Sequence, residues 1–283
     1  GLTATPNRKD GLPKVFKWNL GEIAYKVSSM KLFEVLIKVI KFKSKNLKIN
    51  IFNDFNNFEK IFKKKSDYVM SSITGIEGLK PTLDILKHTK KVAIANKEAI
   101  ICGWNLLDKE IKKNKVEFIP VDSEHFSIWY GLKNNYDKIS RVYLTASGGP
   151  FKNLSTKNFQ KIKISDALKH PNWKMGQKIS IDSATMMNKI FEIIEARKIF
   201  NIPYEKLSIL IHPKSYIHGL IKFNNGIIKI IAHDTSMSIP IYNTLYQKCD
   251  KNISSNKINL NYLNNPILSN PNANKFPVIK LLN

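Results

Sequence analysis

The stretch Val116-Glu-Phe-Ile-Pro-Val-Asp-Ser-Glu-His125 decides how the chain is read. Val116 to Val121 is a short apolar run broken near its end by Pro120, which predicts a strand. Two carboxylates follow at once, Asp122 and Glu124. Spacing i, i+2 places both on one side of an extended segment. The carboxyl end of a parallel strand is where open α/β sheets bind ligands, and hard divalent cations take oxygen ligands of this kind. The plain alternative is an Asp that caps a helix beside an exposed Glu, and spacing alone favours it.

Working outward, strands and helices alternate. Asp67–Ile73 predicts a strand, and Thr74-Gly-Ile-Glu-Gly78 a turn. Pro81 suits the first turn of a helix ending near His88. Lys91–Ala95 predicts the next strand, and Asn96-Lys97-Glu98 leads into a helix through Leu107. Such alternation argues for a parallel α/β sheet with right-handed crossovers. Further on, Arg141–Ala146 is a predicted strand running into Ser147-Gly148-Gly149-Pro150. A long helix is predicted from Ala184 to Phe200, and Leu207–His212 and Ile227–His233 are predicted strands. Towards the amino end, Met30–Phe42 has apolar residues at helical spacing, whereas residues 1–28 carry Pro, Gly and scattered charge like a frayed or processed terminus. After Pro240 the chain is rich in Asn and Pro, as a linker would be.

Composition narrows the class. A chain of 283 residues with 43% hydrophobic residues can bury a sizeable core and is not a disordered polymer. Two cysteines, Cys102 and Cys249, exclude a disulfide framework and a multi-thiolate metal site. No apolar run approaches a membrane span, so no membrane role is expected. The formal net charge is +24, from 46 Lys+Arg against 22 Asp+Glu, yet Arg8, Arg141 and Arg197 are the only arginines. A nucleic-acid binder favours Arg clustered beside aromatics, so the lysine excess argues against that partner and remains compatible with an anionic small molecule.

Three further signals carry chemistry. Asn188, Lys189 and Glu192 share one face of the predicted long helix, with Met186, Ile190, Ile193 and Ile194 on the opposite side. Asp182 or Ser183 can cap that helix and leave amides that suit an anion. The glycines of Ser147-Gly148-Gly149 let backbone N–H groups converge on an oxyanion, though such a turn is more often merely a turn. His170 opens a loop containing Trp173 and Met175 that can close over a ligand or simply pack. His212 and His218 carry the same ambiguity.

Taken together, five strings are similar to motifs of one family. They are Ala95-Asn-Lys-Glu98, Pro120-Val-Asp-Ser-Glu-His125, Ser147-Gly-Gly-Pro-Phe151, His170-Pro-Asn-Trp173 with Met175-Gly176, and Asp182-Ser-Ala-Thr-Met-Met-Asn-Lys189. In this order they resemble 1-deoxy-D-xylulose 5-phosphate reductoisomerases, from about residue 65 to 240 and more faintly to Leu282. The resemblance implies an NADPH-binding, Rossmann-like domain over 1–115 and an α/β catalytic domain with a metal site over 116–240. Residues 241–283 are then a linker towards a helical domain that the chain lacks. It implies an oxidoreductase and isomerase of the non-mevalonate isoprenoid pathway, which makes 2-C-methyl-D-erythritol 4-phosphate with NADPH and Mn²⁺, Mg²⁺ or Co²⁺. Asp122, Glu124 and Glu192 would be metal ligands. Lys97, Glu124, Lys189 and Glu192 would serve catalysis, and with Ser123, Ser147, His170, Ser183 and Asn188 they would hold the phosphorylated sugar. Asn96, Glu98, Met175 and Gly176 would meet the cofactor, with Trp173 beside Met175 on a lid. A homodimer is implied, in the cytoplasm of a bacterium or the plastid-type organelle of a eukaryote.

Departures accompany the likeness. No Gly-rich dinucleotide fingerprint occurs, since Gly75-Ile-Glu-Gly78 matches a later turn, and the chain is expected to be truncated at both ends. Ile190 stands where the family has glycine, and His233-Asp-Thr-Ser-Met-Ser238 replaces a more regular segment. The alternative function is therefore a non-catalytic remnant that binds metal and phosphorylated ligand without hydride transfer.

Overall fold

The computed structural model describes residues 2–3, 22–23, 42–43, 58–133, 139–173, 175–246, 252–253 and 255–282. They form a mixed α/β chain divided into two compact units, Gly1–Val121 and Asp122–Asn283. Among the described residues no helix is long and apolar enough to cross a membrane. The helix expected over Met30–Phe42 and the terminal stretch 1–28 lie outside the described residues, apart from three two-residue strands: β1 (Leu2–Thr3), β2 (Glu22–Ile23) and β3 (Phe42–Lys43).

In the first unit, β1, β4 (Val69–Ser72), β5 (Lys91–Ile94) and β6 (Glu117–Pro120) form a four-stranded, wholly parallel sheet in that order. Strand β4 is buried along its whole length, as a sheet covered on both faces requires. Pro120 is tolerated because it is the last residue of a strand at the sheet's end. The expected boundary at 115/116 moves past β6, which pairs with β5 and so belongs to the first sheet.

A short helix α1 (Phe58–Ile61) precedes β4, and α2 (Leu79–Ile85) with a following 3₁₀ turn to His88 connects β4 to β5. Helix α3 (Lys97–Asn114) connects β5 to β6 and runs two turns beyond the predicted end at Leu107. Leu107 and Ile111, four apart, are both buried and carry the apolar stripe onward until Lys115 turns left-handed.

The second unit holds a mixed sheet in the order β10-β9-β7-β8. Its strands are β7 (Ile139–Ala146), β8 (Leu207–Ile211), β9 (Ile217–Phe223) and β10 (Ile228–Ala232). Strands β7 and β8 are parallel, and the other pairs are antiparallel. Strand β9 was not expected, because His218, Gly219 and Lys222 interrupt its apolar pattern; it is nonetheless buried except at Lys222.

Helices α4 (Ser123–Leu132), α5 (Ile164–Ala167), α6 (Gln177–Ala184) and α7 (Met187–Phe200) accompany this sheet. The core joins Val142, Leu144, Ile190, Ile193 and Ile221, with Met187 and Ile194 against it. After β10 come α8 (Ser238–Leu245) and α9 (Leu260–Asn264). The tail expected to be a linker packs instead: Phe276 is in the core, and Ser269 exchanges two backbone bonds with Ile211 at 2.7 and 3.1 Å.

Candidate active site

Asp122 and Glu124 do not sit on an extended segment. Asp122 is the N-cap of α4, its Oδ1 accepting from the Glu124 amide at 3.1 Å, and Glu124 occupies the first turn. Capping does not exhaust the Asp122 carboxylate, which has lone pairs beyond the one that caps.

The predicted long helix begins at Met187 rather than Ala184, and a separate helix, α6, precedes it. Thr185 and Met186 separate α6 from α7, and Met186 is left-handed at φ 65° while buried. Such a conformation costs a residue with a Cβ about 1–2 kcal/mol, and burial of its side chain in the core offsets this. Asp182 and Ser183 consequently lie inside α6 and cap nothing; Asp182 pairs with Lys178 at 2.9 Å. The start at Met187 sets Asn188, Lys189 and Glu192 on the opening turns of α7.

That face is buried rather than solvated: Lys189 is 5% exposed and Glu192 2%. Carboxylate oxygens of Asp122, Glu124 and Glu192 lie within 4.8 Å of one another. Lys189 Nζ donates to Glu124 Oε1 at 2.9 Å and also pairs with Glu192, while the Asn188 amide donates to Glu192 and the Ser123 hydroxyl to Glu124. Burial pulls the Lys189 pKa down, but the Glu124 and Glu192 charges outweigh it and leave the ammonium more strongly protonated than usual. Three formal carboxylate charges against one ammonium leave the charge that a divalent cation balances. Oxygen-only donors fit a hard ion such as Mg²⁺ or Mn²⁺.

The glycine turn after β7 packs against the end of α6. Gly148 and Gly149 take φ of 85° and 69°, which favour glycine, and a Cβ on Gly149 would stand 2.8 Å from the Ser183 carbonyl oxygen. His170 Nδ1 accepts from the amides of Asn172 at 3.2 Å and Trp173 at 2.9 Å. Its proton therefore sits on Nε2, which donates to Ser147 Oγ at 3.1 Å. The Gly149 amide donates to the same oxygen, also at 3.1 Å. With both lone pairs engaged, the Ser147 hydroxyl is left to donate to an incoming oxygen. Burial first, then the Lys189 charge, pushes the His170 pKa down to about 4, so the ring is neutral at pH 7.

Asn96, Lys97 and Glu98 lie in the first unit at the start of α3. Asn96 caps the helix through the Ala99 amide at 2.7 Å, and its own amide donates to the carbonyls of Ile73 and, at 2.8 Å, Gly75. Its side chain therefore builds the turn. Met175 is half-buried, and Gly176 precedes α6 with open space where a Cβ would go.

Sequence reasoning passed over several groups here. His125 and Glu195 are buried against the carboxylates; Glu195 could have been found one turn after Glu192. Lys152 lies against Gly148 and near enough to Lys214 for that charge, after burial, to lower its pKa. Trp173 meets His218 edge-on at 6.2 Å, and His218 stacks on His233 at 3.7 Å.

Comparison with known proteins gives this arrangement its family. The model of the 1-deoxy-D-xylulose 5-phosphate reductoisomerase C-terminal domain matches residues 118–200, and that of 1-deoxy-D-xylulose 5-phosphate reductoisomerase matches residues 24–103. The second match opens well before residue 65, where the motifs alone begin. The reductoisomerase of Pelagibacter ubique is 53% identical over the whole chain, which spans 72% of that protein. The chain belongs to the 1-deoxy-D-xylulose 5-phosphate reductoisomerase family.

The reductoisomerase of Clostridium kluyveri is 40% identical over 76% of the chain and 56% of its own length. Among solved structures, the Zymomonas mobilis reductoisomerase in complex with NADPH has a TM-score of 0.73 at 34% identity, covering 81% of this chain and 59% of that one. A reductoisomerase in complex with NADPH, fosmidomycin and magnesium has a TM-score of 0.69 at 34% identity, covering 76% of this chain and 56% of that one. The chain thus spans a little over half the length of these last three.

Proposed function

We propose that the chain carries the reductoisomerase reaction, converting 1-deoxy-D-xylulose 5-phosphate to 2-C-methyl-D-erythritol 4-phosphate with NADPH and a divalent metal. The observation that carries the reading is the buried carboxylate set Asp122, Glu124 and Glu192 with Lys189 among them. Those three residues would hold Mg²⁺ or Mn²⁺, with Co²⁺ a further candidate. The ion, when bound, supplies a Lewis acid for adjacent substrate oxygens on which negative charge develops.

Lys189 holds a proton at Nζ beside those oxygens, and Ser123 and Lys97 contact the polar backbone of the sugar. Ser147, His170, Ser183 and Asn188 bind the phosphate end. Remote anchoring of this kind supplies binding energy that orients the reacting carbons. Neutral His170 serves by fixing Ser147 as a donor rather than by charge. Trp173 and Met175 exclude water from the hydride path, and Gly176 and Glu98 line the cofactor, Glu98 on the turn that Asn96 builds. In this reading residues 1–121 serve NADPH and 122–240 the chemistry. The bacterial relatives support a cytoplasmic enzyme, and the family likeness a homodimer.

The test is NADPH oxidation by this chain with 1-deoxy-D-xylulose 5-phosphate, Mn²⁺ present or withheld, beside Glu192→Gln. Metal-dependent oxidation lost in the variant is expected. Absence of oxidation with metal-dependent substrate binding by calorimetry would establish the non-catalytic remnant instead, and absence of both would overturn the reading.

A further inference from the structure

His125 and Glu195 take no part in the function just proposed, yet they are 0% and 1% exposed. Burying an imidazole and a carboxylate together is costly unless neighbouring groups compensate both. His125 is the third residue of α4, and its Nδ1 lies 3.4 Å from Asp122 Oδ1 and 3.9 Å from Glu195 Oε2. On the opposite side of the ring, Nε2 lies 2.8 Å from the main-chain carbonyl oxygen of Glu192. A carbonyl only accepts, so Nε2 carries a hydrogen and donates it. One rigid ring therefore reaches the carboxylate of Asp122 on α4 and the backbone of Glu192 on α7. Glu195, one turn beyond Glu192, closes the Nδ1 side, and ligand atoms of Asp122, His125 and Glu195 all lie within 4.8 Å.

The three carboxylates come from two helices that no secondary-structure hydrogen bond joins, and the separation of those helices decides whether an ion fits. A planar ring changes length less than a flexible side chain, and groups that orient ligands govern metal affinity nearly as much as the ligands do. We propose that His125, with the Glu195 carboxylate behind its Nδ1, is a positioning residue for the divalent cation, setting the Asp122 carboxylate and the α7 backbone at Glu192 at the spacing the ion needs. The inference rests on the metal reading above. Packing alone would give His125 no influence on metal affinity in a folded chain.

The experiment titrates Mn²⁺ into the full chain and follows free and bound ion by electron paramagnetic resonance, with thermal unfolding of each metal-free protein alongside. The Asn amide of His125→Asn falls near Nδ1 and loses the link to Glu192; the Gln amide of His125→Gln falls near Nε2 and keeps it. Glu195→Gln is isosteric and removes only the charge behind the ring. His125→Asn and Glu195→Gln are expected to weaken Mn²⁺ binding by about tenfold or more. His125→Gln should recover much of that loss, and the bound-Mn²⁺ spectrum should change in the same order. Affinities of His125→Asn and Glu195→Gln within about twofold of wild type, with an unaltered spectrum, would overturn the proposal. If His125→Asn does not fold, the isosteric Glu195→Gln decides alone. A wild-type chain that binds no Mn²⁺ overturns the metal reading itself, an outcome distinct from wild type and variants binding alike.

Discussion

Asn96 and Asp122 occupy matching places: each follows a parallel strand, and each caps the helix that comes next. Their surroundings differ in kind. Asn96 is a neutral amide whose oxygen accepts from Ala99 and whose nitrogen donates to two carbonyls, Ile73 and Gly75. Asp122 accepts from one amide and stands among Glu124, Glu192 and His125. A cap closed upon backbone partners builds the fold. A cap crowded by like charge raises the energy of the empty site, and a cation relieves it. Caps closed on backbone and caps crowded by charge therefore share a sequence signature and separate only by what else surrounds them.

The sharpest break of this comparison is Asp122→Asn. Asn caps about as well as Asp, so the thermal midpoint should hardly move, while Mn²⁺ affinity by calorimetry should fall by roughly a hundredfold or more. Unchanged affinity would place Asp122 with Asn96. The converse variant, Asn96→Ala, removes the cap and two donors to backbone carbonyls, the Ile73 one buried, and should cost about 2 kcal/mol in urea unfolding. Its Mn²⁺ affinity should be unaffected. Gly78→Ala probes the same turn, because a Cβ there would stand 2.2 Å from the Asn96 amide and 2.7 Å from the Ile73 carbonyl oxygen. It should destabilise by about 1–3 kcal/mol.

Intermediate between the two caps is His170, closed on backbone through Nδ1 and open through Nε2 to Ser147. Ser147→Ala should weaken inorganic phosphate binding by roughly tenfold, the value of one hydrogen bond to a charged group. The smallest effect concerns pH. The His170 pKa is depressed in the folded chain to about 4 from an ordinary 6.5, so the unfolded chain binds the extra proton first. Stability is therefore fully present above pH 6.5 and is lost as pH falls from 6.5 towards 4. His170→Asn should flatten part of that loss in urea midpoints compared at pH 7 and pH 5. An identical slope would show that His170 titrates normally.

Much of the first unit was legible because period and punctuation agreed there. The strands at 69–72 and 91–94, set off by Gly75, Gly78 and Asn96, admit one alternation of strand and helix. The carboxylates were legible as a resemblance of ordered motifs, and so were Ser147 and His170. The late start of α7 and the separate α6 before it were not, since apolar periodicity runs smoothly through Ala184, Met187 and Ile190, and only packing compensates a left-handed methionine at Met186. Strand β9 was masked by His218 and Gly219, whose burial depends on partners remote in sequence.

The residues by themselves determined the alternating α/β order, the oxygen-rich character of the site and the family, because these follow from local period, side-chain chemistry and motif order. Tertiary structure alone decided that Lys189 and Glu192 are buried, that Asn96 closes on its own turn, and that His125 spans two helices. Each of these depends on groups brought close from distant parts of the chain, where charge, burial and hydrogen-bond geometry act through distance in space rather than spacing in sequence.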